Sequence, residues 1–216
     1  KKQGLEYKLA TKATGATVKG GKATLTLEPA AGGAAETLEA DAVLVTEPNQ
    51  VAVIMTADCL PVLFTTRQGT MVAGAHAGWR SLVNGVLENT VKAMCDAGAQ
   101  RADIMAWMGP AIAVAQFEVG VEVRTEFIQK GLALGIAEDL TRACFKQNLE
   151  QQQAQKYTAD IYALARQRLQ LAGVLDAHIS GGGLCTVSDA QKFYSYRRDG
   201  VTGRMASVIW FESMFK

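Results

Sequence analysis

Between Asp41 and Ala75 the chain is a series of short apolar runs, DAVLVT, VAVIM, PVLFTT and TMVAGA, punctuated by Pro48-Asn49, Pro61 and Gly69. Runs of this length bounded by turn residues predict β-strands, and their close spacing predicts antiparallel pairing. The pattern changes at Ser81. In SLVNGVLENTVKAMCDAG, Val83, Val86, Leu87, Val91 and Met94 recur at helical spacing, and Gly98 is placed to stop the helix. ADIMAWMGP (102–110) predicts a buried strand ending at Gly109-Pro110. Short helices are predicted at 119–131 and 137–145. The clearest helix runs over 157–173, where Ile161, Leu164, Ala165 and Leu169 share a face and Gly173 closes it. DAHIS, FYSYRR and RMASVIWF predict late strands, and the glycine run 181–183 joins the first two.

Strands therefore come in groups with helices between and after them. That order predicts an α+β fold with mostly antiparallel or mixed sheets, not a strictly alternating one. Residues 1–38 have a different texture. Lys22 to Glu28 alternate with period two after Gly20-Gly21, which predicts a hairpin or meander standing apart from a single domain over 39–216.

Composition narrows the function classes. The apolar fraction is 49%, the charged fraction 20% and the formal net charge +1, so the balance of charge gives no footprint for nucleic acid or an anionic membrane. No apolar run reaches the length of a membrane span, and KKQGLEYKLATKATG has no signal-peptide core, so a cytoplasmic protein is expected. Cys59, Cys95, Cys144 and Cys185 lie far apart and form no CxxC pair, which predicts free thiols.

The candidate chemistry sits in MTADCLPVLFTTRQGTMVAGAHAGWRS. Asp58 and Cys59 directly follow one predicted strand, and His76 closes the next but one. Two antiparallel strands between them bring both side chains to one rim of a sheet. A thiol and an imidazole at close range can serve as nucleophile and base, or ligate a borderline-soft metal such as zinc or copper. They can also be ordinary core residues. Arg80 and the basic turn SYRRDGVTGR, with Arg197, Arg198 and Arg204, are candidate anion sites or solvated charge. Asp58 can orient a substrate hydroxyl or cap a turn. Cys185 follows the glycine run and can line the same cavity or be a plain buried thiol. Trp79, Trp107 and Trp210 are read as packing residues.

TADCLPVLF, AHAGWR, GPAI…FEVG and FYSYRRDGVTGRMASVIW occur in that order, from about Ala40 to Trp210. Together they closely resemble the YfiH-like laccase-domain family, described as purine nucleoside phosphorylases and earlier as multicopper polyphenol oxidases. The resemblance implies an α/β/β/α layered fold and a Zn²⁺ site of two histidines and one cysteine. Cys59 and His76 match two of those ligands. The third is a histidine upstream of the DAVLV strand, and residues 1–40 hold no histidine. Residues 1–45 resemble instead a piece of dihydrolipoamide dehydrogenase, without any GxGxxG, which implies a chimeric join near Glu39–Thr46. The conceivable substitutes for the third ligand are His178, Glu28 and Glu36. Without one, the site is incomplete.

The activity implied is phosphorolysis of adenosine, inosine, guanosine or methylthioadenosine, with hydrolytic deamination of adenosine. Cys59, His76 and Asp58 would be catalytic, and Arg80, Arg197 and Arg198 would hold phosphate. Nucleosides and phosphate are the expected partners, with no nucleic acid and no membrane, for a monomer or a homodimer. The rivals are a copper-dependent polyphenol oxidase of the laccase type, an amidase using Cys59 with His76 as base, and an inactive remnant. Laccase chemistry normally uses His-x-His pairs, and this chain has two histidines and no such pair.

Overall fold

The computed structural model describes residues 11–19, 22–29, 36–147 and 156–212, with side chains from residue 40 onward within those ranges. The chain divides into a unit ending at Asp41 and a larger one beginning at Ala42. In the first, β1 (Thr11–Lys19), β2 (Lys22–Pro29) and β3 (Glu36–Ala40) form an antiparallel meander. The Gly20-Gly21 turn expected between the first two lies outside the described residues, as do the side chains of Glu28 and Glu36.

The second unit begins with the four predicted strands, β4 (Ala42–Val45), β5 (Ala52–Thr56), β6 (Leu60–Thr66) and β7 (Val72–Ala77). The expected helix after Ser81 is two helices, α1 (Trp79–Val83) and α2 (Val86–Asp96). Gly85 separates them at φ 87°, a left-handed conformation that an α-helix does not contain. Then follow β8 (Ile104–Met108), β9 (Glu118–Gly120), α3 (Val121–Ala133), α4 (Glu138–Ala143), β10 (Phe145–Gln147) and β11 (Lys156–Ala159). The chain closes with α5 (Ile161–Leu171), β12 (Ile179–Gly181), α6 (Tyr196–Asp199) and β13 (Met205–Ile209). The α5 helix starts later than the periodicity suggests because the Asp160 carboxylate accepts from Ala163 N–H and fixes the N-terminus there.

These elements make the expected α+β fold with antiparallel and mixed sheets. The main sheet runs β12–β8–β6–β7–β4, with β12 parallel to β8 and the other pairs antiparallel. Helix α2 covers β7 and β4 on one face and packs on α5. On the other face β5 pairs with β13 in a two-stranded antiparallel ribbon lying across β6 and β7. Every residue of β7 is buried as a result, which is why it is built from small residues. Gly74 is required there: a Cβ would come within 2.7 Å of Ile54 on the ribbon. A third sheet, β10–β11–β9, carries α3, with the Phe127 and Phe145 rings 6.0 Å apart.

The ribbon does not extend over β8. Met105 and Trp107 on that strand are each 40% exposed, and Trp210 beyond β13 is 51% exposed, so two of the tryptophans read as packing residues stand half in solvent. FYSYRR also departs from expectation. Its second half is α6, nucleated by Ser195, whose Oγ accepts from Arg198 N–H.

The described cysteines are all free thiols. Burial pushes the Cys144 thiol up to about 11, aided by the charge of Asp160 and opposed by a hydrogen bond from Gln167. Burial pushes Cys185 up as well, but the hydroxyl of Ser188 and the backbone N–H groups of Ala113, Ser188 and Val187 outweigh it, and the net shift is downward. A lowered pKa means more thiolate at neutral pH, and thiolate is the reactive form. Brief iodoacetamide treatment at neutral pH should therefore label Cys185 more than about tenfold faster than Cys144, read by peptide mass spectrometry. Equal rates would contradict these two environments.

Candidate functional site

The pairing of β6 with β7 sets Leu60 opposite Ala77 and Pro61 opposite His76. One step further, Cys59 stands at the end of β6 across from Gly78. The point where a Cβ on Gly78 would sit is 3.0 Å from Cys59 Sγ and 3.7 Å from His76 Nε2, so thiol and imidazole converge on one spot. His76 is buried and Cys59 half-buried. Burial pushes the Cys59 thiol up and Asp58 adds to it, while the positive charges of Arg204 and Arg80 pull the other way. Arg80 is exposed, and its guanidinium lies over the Trp79 ring at 4.4 Å. Arg204 donates to the Thr202 and Gly203 carbonyls. The structure thus gathers Cys59, His76, Arg80 and Arg204 at one rim of the main sheet.

Asp58 adjoins this cluster with its carboxylate already engaged. Oδ1 accepts from Thr186 Oγ1 at 2.6 Å, and Oδ2 from Ser195 Oγ at 3.1 Å and Arg197 N–H at 2.6 Å. Its carbonyl accepts from Ile112 N–H. Asp58 holds φ 89°, in the left-handed region that non-glycine residues rarely enter. The geometry gives it the part of a clamp, drawing the 186–197 segment against the end of β5. The hydroxyl of Tyr162 does similar service nearby, accepting from Ala111 N–H and facing the Gly109 and Leu184 carbonyls.

Arg197 and Arg198 stand on the same segment, but their side chains turn to carbonyl groups. Arg197 donates to Gln116 and Glu118 oxygens, and Arg198 to those of Thr186, Val187 and Phe193 and to the Asp199 carboxylate. Guanidinium groups so occupied tie loops together, and the cations whose charge acts on Cys59 are Arg80 and Arg204, the latter itself bonded to two carbonyl groups. Spacing in the sequence could not separate these four arginines. Thr186 and Ser195, both fully buried partners of Asp58, carried no signal except the helix-capping position of Ser195.

A thiol and an imidazole sharing one spot are donors that suit zinc or copper. Among the described residues no group of three or more His, Cys, Asp or Glu side chains converges for a metal. The described donor set is therefore two, against the three protein ligands usual for catalytic zinc. His178 does not make up the difference. It precedes β12 at the end away from Gly109, whereas Gly109 N–H bonds Pro61 on the rim. A separate cavity of about 400 Å³ beside α2, lined by Glu88, Lys92, Cys95 and Arg101 among others, shares no residue with this cluster.

Comparison with known proteins supplies context for this geometry. Residues 10–212 match the family described as multi-copper polyphenol oxidoreductase laccase. The chain is 48% identical over 177 residues to a purine nucleoside phosphorylase of Haemophilus influenzae, covering 82% of this chain and 67% of that protein. It is 50% identical over 171 residues to the purine nucleoside phosphorylase YfiH of Escherichia coli K12, covering 79% of this chain and 63% of that protein. Among solved structures, a Neisseria meningitidis protein superimposes with a TM-score of 0.70 at 44% identity, over 81% of this chain and 65% of the other. The chain thus spans about two thirds of the length of the relatives it matches.

Proposed function

Because this chain belongs to the multi-copper polyphenol oxidoreductase laccase family, we propose that it is a zinc-dependent purine nucleoside phosphorylase that also deaminates adenosine. The observation that carries this reading is the convergence of Cys59 and His76 on one spot beside two arginines. The names of its relatives supply the substrate class. In this proposal Cys59 and His76 hold the metal, Arg80 and Arg204 hold phosphate, and Asp58 keeps the 186–197 segment in place.

Phosphorolysis forms a bond from a phosphate oxygen to C1′ of the ribose and breaks the bond from C1′ to the purine nitrogen. The bonding pair leaves with the base, which takes up a proton, and ribose 1-phosphate remains. Two guanidinium groups suit the phosphate because they offset its charge and fix its attacking oxygen. Stacking on Trp79 limits the freedom of Arg80, so less entropy is lost when the anion arrives. Bound zinc would supply a Lewis acid, and from its water a hydroxide available near neutral pH. Burial holds the Cys59 thiol up, whereas the free nucleophile of an amidase needs a lowered pKa. Copper on the same donors is the second reading raised by the family description, and a multicopper centre needs more histidines than the two in this chain.

The test uses protein purified without a metal-affinity column, analysed for metal and assayed with adenosine. Adenine and ribose 1-phosphate are expected when phosphate is present, and inosine when it is absent. Cys59→Ser and His76→Ala should each lower zinc affinity by about tenfold or more. Arg80→Ala should raise the KM for phosphate more than that for the nucleoside. Nucleoside turnover indifferent to chelation and to both ligand substitutions would overturn the reading.

A further inference from the structure

We infer, on the basis of that function, that Tyr162 is a positioning residue for the nucleoside reaction: its hydroxyl sets the register in which the 184–186 segment rejoins the 109–112 segment, and through Thr186 it holds Asp58 and the adjoining Cys59 in place. Strands β8 and β12 run parallel as far as Met108 and Gly181, where Gly182 N–H donates to the Met108 carbonyl. They meet again at a bridge between Ala111 and Cys185, with Thr186 N–H donating to the Ala111 carbonyl. One strand takes three steps between these points and the other four, so no regular ladder fits the interval. Pro110 has no N–H to offer, and Gly109 N–H is taken by the Pro61 carbonyl. The Tyr162 hydroxyl fills the gap. It accepts from Ala111 N–H at 2.8 Å and donates to the Leu184 carbonyl at 2.8 Å, with the Gly109 carbonyl next at 3.1 Å.

The glycine run is shaped to this side chain. Gly181, Gly182 and Gly183 hold φ 78°, 84° and 78°, and carry the chain around the tyrosine in a conformation other residues rarely adopt. A Cβ on Gly182 would lie 3.2 Å from Tyr162 Cδ1. Burial pushes the Tyr162 hydroxyl up to about 12, against the hydrogen bond with Ala111, so it keeps its proton and stays a donor at neutral pH. The residues following its partners hold Asp58. Ile112 N–H donates to the Asp58 carbonyl, and Thr186 Oγ1 to its carboxylate. Tyr162 and Asp58 thus close the two ends of one hydrogen-bonded ring, and slack at the first reaches the second. Asp58 is held at φ 89°, and a tether released there moves the backbone that aims Cys59. The arginines assigned to phosphate are anchored elsewhere, Arg80 on Trp79 and Arg204 next to the strand that pairs with β5.

Tyr162→Phe tests this, because it removes one oxygen and keeps the ring against Gly182. At saturating zinc, kcat should fall about tenfold while the KM for phosphate stays within about twofold. Amide exchange followed by NMR should quicken about tenfold at Ile112 and Arg197, which bond Asp58 and not Tyr162, with Val62 and Leu87 in the core unchanged. Gly182→Ala, which crowds the ring from the other side, should give the same pattern. In a Thr186→Val background, Tyr162→Phe should cost less than about twofold more, since the route to Asp58 is already cut. Normal kcat or normal Arg197 exchange in Tyr162→Phe would overturn the proposal. So would losses that multiply in the double variant, or faster exchange throughout the core, which marks a purely structural role. An unaltered chain that turns over no nucleoside would instead overturn the function on which this rests, and Arg197 exchange in Tyr162→Phe would still decide whether the hydroxyl sets Asp58.

Discussion

Arg168→Ala should lower the free energy of unfolding by about 3–5 kcal/mol, the usual result of removing one partner from a buried ion pair. Arg168 lies on the apolar face of α5 and is 2% exposed. One of its nitrogens donates to Glu88 Oε1 at 2.8 Å and another to the Val83 carbonyl at 3.1 Å. Alanine leaves the Glu88 carboxylate, whose Oε2 already has no partner, without its counter-charge between α2 and α5. It also leaves a void where the largest fully buried side chain among the described residues had been. The paired change Arg168→Met with Glu88→Leu should cost much less, because it removes both charges and refills the space. Urea unfolding gives the comparison, through the midpoint at unchanged slope. A loss below about 1 kcal/mol for the single variant would place the pair among the weak surface ones.

Asp58→Asn should cost about 2–3 kcal/mol and lower turnover by at least roughly tenfold. The amide is nearly the same size and tolerates the left-handed backbone, so shape and strain are preserved. What changes is the pattern of donors. The carboxylate accepts from three groups, and an amide has one accepting oxygen with an NH₂ at the other end. Either Thr186 or the Ser195 and Arg197 side must then face a donor. A hydroxyl can rotate away, but Arg197 N–H cannot. Faster hydrogen exchange over 185–198, with the rest of the chain unchanged, would separate loss of the clamp from general unfolding. An Asn variant with normal exchange and normal turnover would remove Asp58 from any part in the site.

The neighbourhood of Cys59 and His76 could be anticipated because it rests on local facts. Two apolar runs joined by a turn fix a register, and the register sets Cys59 beside His76. The helical face of α5 was equally plain, Arg168 apart, since nothing in periodicity tells a buried arginine from one on the solvent side. What could not be read depends on distant pairings. VAVIM looks like its neighbours in the sequence, yet β5 leaves the main sheet to join β13. FYSYRR has the aromatic texture of a strand, and a single serine cap turns half of it into helix. The four arginines near the site look alike in one dimension. Only the fold decides that Arg197, Arg198 and Arg204 bond carbonyl groups and that the charges of Arg80 and Arg204 act on the thiol.

The clamp on Asp58 also sets a timetable. Its three side-chain and backbone partners lie 128, 137 and 139 residues further along the chain. At the usual speed of synthesis, about 5–20 residues per second, Asp58 leaves the ribosome on the order of ten seconds before the last of them exists. During that interval β5 also lacks β13, and Cys59 has no finished wall around it. The main sheet and α2 can assemble meanwhile from nearby strands, but the rim is completed only near the end of translation. A premature stop just after Ser195 would therefore leave most of the core encoded and still remove Arg197, Arg204 and the whole of β13. Such a product would carry every residue of TADC and HAGWR and have no site.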